Sequence, residues 1–280
     1  ILYFSGSGGT ELVARLLGEM LSESYQCRIT GIEEGCAALA AADCELLVLL
    51  YPTYYLAPAP SMAEFVERLG PFDPPRKAYV VTTCELYSEN SIRRFALGLR
   101  KRGIVAQGSK VVHAPGSDVT LVLPSALIPW WYRFEKGLPR KLGAIAGEIA
   151  AVAEAREARE AIPGHKWYTP FTQLLQILLL NHFDGYRNRI VVLPDRCTLC
   201  GACVRCCGRQ AWAIEAGGLV HSGEKCELCT RCLHRCPKRA IVLRKGLKDN
   251  RRLDAQLYGR LGEDARKGLG RSRGLGDEAK

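Results

Sequence analysis

Two cysteine runs near the C-terminal end constrain this chain more than any other feature. They share the spacing C-x2-C-x2-C-x3-C, and their members are Cys197, Cys200, Cys203 and Cys207 in the first run and Cys226, Cys229, Cys232 and Cys236 in the second. Three thiolates spaced in this way wrap one compact group on a tight loop, and the run is typical of proteins that hold cubane iron–sulfur clusters. The two runs therefore predict two [4Fe–4S] clusters and a role in electron transfer.

A structural zinc site and a disulfide framework are the alternatives to clusters. Zinc sites usually pair two C-x2–4-C knuckles to give four ligands, whereas here three cysteines crowd into a short loop, twice. Disulfides are typical of secreted chains, and no secretory signal pattern precedes the first apolar run. The spacing favours clusters over both alternatives, and a cytoplasmic location is expected.

Five of the 13 cysteines lie outside this pattern. Four of them stand among apolar residues and are interpreted as buried small side chains: Cys27, Cys36, Cys44 and Cys84. The fifth, Cys206, lies beside Cys207 and could itself complete a C-x2-C-x2-C-x2-C run. Cys207 is preferred as the ligand because Cys236 has the same spacing, and Cys206 is interpreted as a packing residue. The first run departs from the second at Gly208, where the second has Pro237.

Length and charge set further bounds. A chain of 280 residues suggests two domains, and a net charge of +10 suggests an acidic partner, a membrane surface or nucleic acid. Residues 244–280 carry 11 Lys/Arg and 6 Asp/Glu with few large apolar side chains. This segment is predicted to be a basic, flexible tail, and no nucleic-acid binding is expected because no basic and aromatic module accompanies it.

The first half alternates short apolar runs with amphipathic patterns, which predicts βαβ units and a parallel sheet. Strands are predicted at 1–4, 26–31, 45–51, 78–83 and 105–113. Helices are predicted at 11–21, 61–69, 91–102 and 136–159. Five strands with intervening helices favour a doubly wound α/β sheet, in which ligands bind at the carboxyl ends of the strands. The first strand is expected to begin before Ile1.

Three loops follow predicted strands at that edge. The first is a run of small and hydroxyl residues before a helix: Ser5, Gly6, Ser7, Gly8, Gly9 and Thr10. Small residues allow a close backbone approach, and the helix N-terminus attracts an anion. Because no lysine follows, the loop is not a Walker-type nucleotide loop. It suits a phosphate monoester such as that of FMN, and an ordinary Ser/Gly turn is the alternative.

The second and third loops carry tyrosines, which can stack on a flat ring. The candidate residues of the second loop are Pro52, Thr53, Tyr54 and Tyr55, and those of the third loop are Thr83, Cys84 and Tyr87. Tyr54, Tyr55 and Tyr87 are the candidates to flank an isoalloxazine ring. Ordinary loop packing is the alternative for each tyrosine taken singly.

With these motifs the chain resembles a family of prokaryotic fusion proteins, in which a flavodoxin-like domain precedes a bacterial-type ferredoxin with two [4Fe–4S] clusters. The matching segments are YFSGSGGTE at 3–11, YPTYYLAPAP at 51–60 and the two cysteine runs. The resemblance implies FMN on the first loop and a small α+β ferredoxin domain. In such ferredoxins the fourth cysteine of each run binds the other cluster. The implied ligand sets are Cys197, Cys200, Cys203 and Cys236 for one cluster and Cys226, Cys229, Cys232 and Cys207 for the other.

The resemblance divides the chain into a flavodoxin-like domain (1–160), a helical linker (161–190), a two-cluster domain (191–243) and the tail. The linker contains an apolar helix at about 170–181, which is too short to span a membrane. An aromatic cluster lies at 129–134. Burial of the linker helix against the two-cluster domain is the preferred interpretation, and an interfacial membrane contact is the alternative.

No acid–base or nucleophile constellation stands out in the sequence. The leading hypothesis is an electron carrier between two [4Fe–4S] clusters and FMN. The alternatives are a flavin-dependent reductase of a small acceptor or quinone, and a flavin-free iron–sulfur redox sensor or binding module. Residues 190–245 carry 10 Lys/Arg and 4 Asp/Glu, which predicts docking of acidic redox partner proteins.

Overall fold

The computed structural model describes residues 1–34, 44–85, 87–88, 90–114, 137–157, 159–164, 168–174, 177–178, 190–243, 259–260 and 262–268. The described residues divide into two compact units. The first draws on Ile1–Ala114, Phe134–Lys166 and Ala255–Lys280, and the second on Trp167–Asp254. Cys36 and the aromatic cluster at 129–134 lie outside the described residues.

Six strands and four helices form the part of the first unit before residue 155. The strands are β1 (Leu2–Tyr3), β2 (Thr30–Gly31), β3 (Leu46–Tyr54), β4 (Ala57–Pro58), β5 (Arg76–Cys84) and β6 (Ile104–His113). The helices are α1 (Gly9–Leu21), α2 (Pro60–Glu67), α3 (Ser91–Arg100) and α4 (Leu138–Glu154). The order of these elements follows the alternation that the sequence predicted.

The sheet has five parallel strands in the order β2-β1-β3-β5-β6, and β4 pairs with β3 in the antiparallel sense. Counted along the chain, the parallel strands run 2-1-3-4-5, which is the flavodoxin-like order of doubly wound sheets. The predicted five-stranded parallel sheet is confirmed. The antiparallel β4 is an addition that the sequence did not predict, and it makes the sheet six-stranded.

The central strands are apolar on both faces because helices cover both sides of the sheet. Val48, Leu50, Tyr79 and Val81 face a core that α1 and α4 complete. On another part of the sheet, the ring of Tyr51 lies 4.4 Å from that of Phe95 in α3. This two-sided burial leaves the strand ends as the places where polar side chains can gather.

The described part of the tail belongs to the first unit. Residues 262–268 are helical, and Ala265 is buried in the same core as α1. The guanidinium of Arg266 donates to both carboxylate oxygens of Glu19, at 2.6 and 2.8 Å. One small apolar side chain and one ion pair thus place these residues against α1, and the flexibility of the tail stays a prediction.

Short elements build the second unit around the cysteines. The strands are β7 (Val191–Val192), β8 (Trp212–Glu215), β9 (Gly218–His221) and β10 (Ile241–Val242), and the helices are α5 (Ala202–Cys206) and α6 (Arg231–Arg235). β7 pairs antiparallel with β10, and β8 pairs antiparallel with β9. Strands β7 and β8 belong to the first half of the unit, and β9 and β10 belong to the second half. Each strand pair therefore joins the two halves.

The second unit repeats its backbone after 29 residues, the spacing between the two cysteine runs. Helices α5 and α6 are offset by that number. Three residues with positive φ recur at the same offset, as the pairs Leu199 and Leu228, Gly201 and Thr230, and Gln210 and Arg239. A left-handed backbone at non-glycine positions is uncommon, so this recurrence shows that both runs adopt the same loop.

The helical segment at 169–174 lies in the predicted linker. Phe171 is 70% exposed, and Leu174, Ile177 and Leu178 are each more than half exposed. These four side chains do not show the burial that the sequence predicted for the linker helix. Among the described residues, no helix combines the length and the apolar character needed to cross a membrane.

Candidate functional site

The first loop connects β1 to α1 in a tight turn. Gly8 has φ 114°, a left-handed conformation that glycine adopts without strain, and its N–H donates to Ser5 Oγ at 3.1 Å. Helix α1 begins at Gly9, and its leading N–H groups have no carbonyl one turn earlier to bond. Ser5, Gly6, Gly9 and Thr10 are buried, while Ser7 is half-buried. A glycine turn at the positive end of a helix fits the phosphate monoester that the sequence predicted.

Hydroxyl groups connect the first loop to the ends of two strands. Thr10 Oγ1 lies 2.7 Å from Thr83 Oγ1, at the end of β5. One residue earlier, Thr82 Oγ1 lies 2.8 Å from Thr53 Oγ1 in β3 and donates to the backbone oxygen of Tyr51. Pro52 is opposite Thr83 in the β3–β5 register. The structure thus brings Thr10 of the first loop against Thr83, and Pro52 lies beside Thr83 on the neighbouring strand, whereas Thr53 contacts Thr82.

The second loop is a hairpin and not a simple connection. Strand β3 continues to Tyr54, and Tyr55 and Leu56 turn the chain with φ values of 50° and 63° into β4. Tyr54 packs edge-on against Phe4, with ring centroids 6.5 Å apart. Tyr54, one of the three tyrosines predicted to flank a flat ring, therefore contacts the residue that follows β1.

The third loop begins at the buried residues Thr83 and Cys84. Cys84 Sγ lies 3.8 Å from Nδ1 of His113, the last residue of β6, and the same Nδ1 is 3.3 Å from the backbone oxygen of Glu85. Tyr87, beyond the strand, is 38% exposed. Cys84 thus behaves as the buried small side chain of the sequence prediction, and Tyr87 is partly exposed to solvent.

Four cysteines of the second unit line one cavity. They are Cys197, Cys200, Cys203 and Cys236, and Leu219, Ala240 and Ile241 add an apolar wall. Three of the cysteines come from the first run and the fourth from the second run. This is the crossed ligand set that the sequence resemblance implied, and a compact group with four thiolate ligands fits this donor set.

The second run shares local features with the first. The thiols of Cys226, Cys229 and Cys232 are close enough to influence one another electrostatically. The N–H of Ala211 donates to Cys207 Sγ at 3.3 Å. At the equivalent place in the repeat, the N–H of Ala240 donates to Cys236 Sγ at 3.2 Å. Cys207 and Cys236 thus hold the same local position, and backbone donors aimed at sulfur suit thiolate ligands.

Cys206 has a different environment from its neighbour. Its Sγ lies 3.6 Å from the backbone oxygen of Cys203, inside α5, and its own backbone oxygen accepts from Arg231 Nη1 at 3.0 Å. Its equivalent in the second half of the repeat is Arg235, not a cysteine. These contacts favour Cys207 over Cys206 as a cluster ligand.

Burial disfavours the charged form of several of these thiols. Burial raises the pKa of Cys203 to about 11, and it also raises the pKa of Cys229 and of Cys232. The backbone N–H of Ala202 lowers the pKa of the exposed Cys200 thiol. Since metal ligation requires the thiolate, the buried thiols need a cation beside them before they ionise at neutral pH.

The described residues contain no group of three or more His, Cys, Asp or Glu side chains placed to hold a single metal ion. A cubane cluster asks for a wider arrangement, because each of its thiolates binds a different iron atom.

The sequence analysis did not predict two residues of the site. Thr82 lies in a buried strand and forms hydrogen bonds with Thr53 and with the backbone of Tyr51. The only sequence feature that could have identified it is a polar residue within an apolar run. Burial raises the pKa of the Cys232 thiol, and the buried side chain of Trp212 opposes this shift. The repeat offered a signal here, since Trp212 stands where the second half has Ile241.

Comparisons with known proteins find similarity only among solved structures. No protein-family model and no curated protein matches the sequence. A flavodoxin from the domain Archaea matches with a TM-score of 0.41 and 14% identity, covering 55% of this chain and 96% of that one. Two-electron reduced flavodoxin of Megasphaera elsdenii gives 0.39 and 16%, covering 52% and 96%. Rubredoxin oxygen:oxidoreductase of Desulfovibrio gigas gives 0.38 and 18%, covering 55% and 36%. The fold assignment rests on the strand order of the sheet.

Proposed function

We propose that this protein transfers electrons between two [4Fe–4S] clusters and a bound FMN. The observation that carries the proposal is the cavity shared by Cys197, Cys200, Cys203 and Cys236. A cysteine from 33 residues further along the chain joins the three of the first run, as the crossed ligation of a two-cluster ferredoxin requires. When bound, clusters exchange single electrons and a flavin exchanges one or two.

The protein contributes binding, orientation and electrostatics to this chemistry. The thiols of each run and the backbone N–H groups of Ala211 and Ala240 provide ligands and their supporting donors. The basic residues of the second unit favour the more negative, reduced form of a bound cluster. They also suit docking of an acidic redox partner.

The first loop supports the flavin half of the proposal. Gly8 turns the backbone, α1 presents its positive end, and the buried Thr10–Thr83 hydroxyl pair keeps the loop against β5. Tyr54 and Tyr87 belong to the two neighbouring loops, where the sequence predicts ring contacts. A phosphate monoester on the loop and a flat ring against the tyrosines would use all three segments.

Anaerobic purification with quantified iron, sulfide and flavin tests the proposal. The expected result is about eight iron atoms per chain, from two four-iron clusters, and about one FMN. Zinc without iron would refute the cluster half, and absence of flavin after reconstitution with FMN would refute the flavin half.

Two variants test the flavin part and the cluster part of the proposal separately. Gly8→Ala places a side chain on a left-handed residue, so it should weaken FMN binding while iron content stays unchanged. Cys200→Ser should lower iron content while FMN binding stays unchanged. Loss of both cofactors in either variant would indicate a folding defect, which far-UV circular dichroism would detect.

A further inference from the structure

The helical residues 169–174 and 177–178 present large apolar side chains to the outside of the protein. Among the described residues, the four most exposed side chains of this kind all lie here: Phe171 at 70%, Leu178 at 59%, Ile177 at 57% and Leu174 at 56%. Residues spaced three, four and seven apart share one face of a helix, and Phe171, Leu174 and Leu178 have this spacing. We call these four residues the apolar face.

Two small polar residues of the same segment are buried. Thr169 is 4% exposed and Thr172 is 9% exposed. The hydroxyl of Thr172 donates to the backbone oxygen of Thr169 at 3.0 Å, so this polar group is satisfied within the segment. A helix at a protein surface in water normally buries its apolar stripe and exposes its polar residues. The reverse arrangement here suits contact with an apolar medium outside the chain.

The sequence around the apolar face has no charged side chain. Residues 167–183 contain no Lys, Arg, Asp or Glu, and Trp167 and Tyr168 stand at the N-terminal end of this stretch. Tryptophan and tyrosine are enriched at the level of lipid headgroups, where one end of the side chain is apolar and the other is polar. A protein interface usually surrounds its apolar centre with a polar rim, whereas insertion into lipid requires no such rim.

Positive charge is concentrated in the part of the chain that carries the apolar face. Residues 167–254, the main segment of the second unit, carry 15 Lys/Arg and 7 Asp/Glu, a net charge of +8. The whole chain has a net charge of +10, so the remaining residues contribute only +2. An anionic lipid surface attracts such a basic segment. A second copy of the chain would bring the same positive charge to the contact, and the two copies would repel each other.

We propose that the apolar face docks the protein on an anionic lipid surface. Its four side chains enter the boundary between headgroups and acyl chains, and basic residues of 167–254 contact the anionic headgroups. An inserted apolar group and a basic segment are the two signals that together give stable binding at a membrane surface. The exposure of the four side chains favours this interfacial contact over the burial that the sequence predicted. The proposal does not depend on either cofactor.

Flotation with lipid vesicles tests this proposal on the full chain, purified anaerobically. The protein should bind vesicles of equimolar phosphatidylcholine and phosphatidylglycerol, and it should not bind vesicles of phosphatidylcholine alone. Added salt should weaken the binding because it screens the charge of the headgroups. Phe171→Ser and Leu178→Ser should each lower the affinity for the anionic vesicles by about tenfold or more, since each removes one inserted apolar side chain.

Two control variants accompany the serine substitutions. Leu97 is 37% exposed on α3 of the first unit, so Leu97→Ser removes an exposed apolar side chain elsewhere and should keep the wild-type affinity. Phe171→Leu keeps an apolar side chain on the face and should retain most of the affinity. Far-UV circular dichroism and iron content equal to those of the wild type exclude a folding defect in each variant.

Three results would overturn the inference. Wild-type protein that does not float with the anionic vesicles would leave a protein partner as the occupant of the apolar face. Unchanged affinity in both serine variants would show that charge alone binds the vesicles. A dimer in light scattering that Phe171→Ser dissociates would assign the face to a second copy of the chain.

Discussion

The hydroxyl groups of Thr10 and Thr83 lie 2.7 Å apart in the protein interior, although 73 residues separate them in sequence. Thr83→Val keeps the shape of the side chain and leaves the Thr10 hydroxyl, which is 2% exposed, without this partner. An unpartnered buried hydroxyl costs about 1–3 kcal/mol. We expect urea denaturation to show a loss of that size in the free energy of unfolding of the first unit.

Thr53→Val is the matched control for this prediction. Thr53 bonds Thr82 at 2.8 Å, but Thr82 keeps the backbone oxygen of Tyr51 as an acceptor. The control should therefore cost less than about 1 kcal/mol. The double variant Thr10→Val/Thr83→Val should cost less than the sum of the single variants, and strict additivity would contradict a direct hydroxyl contact.

Gly108 is required by the ring of Tyr79 on the neighbouring strand. A Cβ at position 108 would lie 2.5 Å from Tyr79 Cε2, and the Tyr79 hydroxyl donates to Glu148 Oε2 at 2.6 Å, which keeps the ring in place. Gly108→Ala should destabilise the first unit by about 1–3 kcal/mol. Gly147→Ala, in an open part of α4, should instead stabilise it by about 0.5–1 kcal/mol. Equal effects of the two variants in urea denaturation would refute the steric conflict with Tyr79.

The sheet was predictable because its strands are buried on both faces. Runs such as 46–50 and 78–81 are continuous in apolar residues, and in a chain that alternates with amphipathic helices this pattern is typical of central parallel strands. The hairpin of β3 and β4 was not predictable in this way. Its turn places Tyr55 and Leu56 at positive φ. A tyrosine or a leucine in a sequence does not indicate this conformation.

The cysteine spacing was informative for a different reason. A repeated motif predicts a repeated backbone, and the pairs of positive-φ residues such as Leu199 and Leu228 follow the repeat. Contacts between segments that are distant in the chain correspond to no comparable pattern in the sequence. The ring contact between Trp212 and His221 and the docking of Ala265 on α1 depend on tertiary packing, which no local periodicity encodes.

The ion pair of Glu19 and Arg266 should hold the helical segment at 262–268 in a pH-dependent way. The hydrogen bond from Arg266 lowers the pKa of the Glu19 carboxyl. A carboxyl with a lowered folded-state pKa stabilises the folded state above its usual value of about 4.3, and this contribution is lost as the pH falls through the lower folded-state value. Both side chains are about half exposed, so the contribution should stay below about 1 kcal/mol.

Glu19→Gln should expose the peptide bonds of 262–268 to limited proteolysis at pH 7 while the melting temperature changes little. Wild-type protein at a pH below the folded-state pKa of Glu19 should show the same increase in cleavage. Glu11→Gln is the control, because Glu11 pairs with Arg15 on the same helix. Equal cleavage in the two variants would contradict a specific role for Glu19.

Substitutions of Cys206 and Cys207 should have opposite results for iron content. Cys207 accepts the N–H of Ala211 in the same geometry as Cys236 with Ala240, whereas Cys206 contacts the backbone of α5. Cys206→Ala should keep about eight iron atoms per chain, and Cys207→Ala should lose between about one and about four. Iron analysis with EPR measures this directly. The reverse outcome would assign ligation to Cys206.

Removal of iron should unfold the second unit and leave the first unit intact. Four cysteines from both runs line one cavity, and under the proposed function their bonds to a cluster would join the two halves of the unit and be lost with the iron. Hydrogen exchange after anaerobic chelation should show loss of amide protection in β7–β10. Protection in β3 and β5 should persist, because helices and not cofactors cover those strands. Retained protection in β8 and β9 without iron would show that packing around Trp212 alone stabilises the unit.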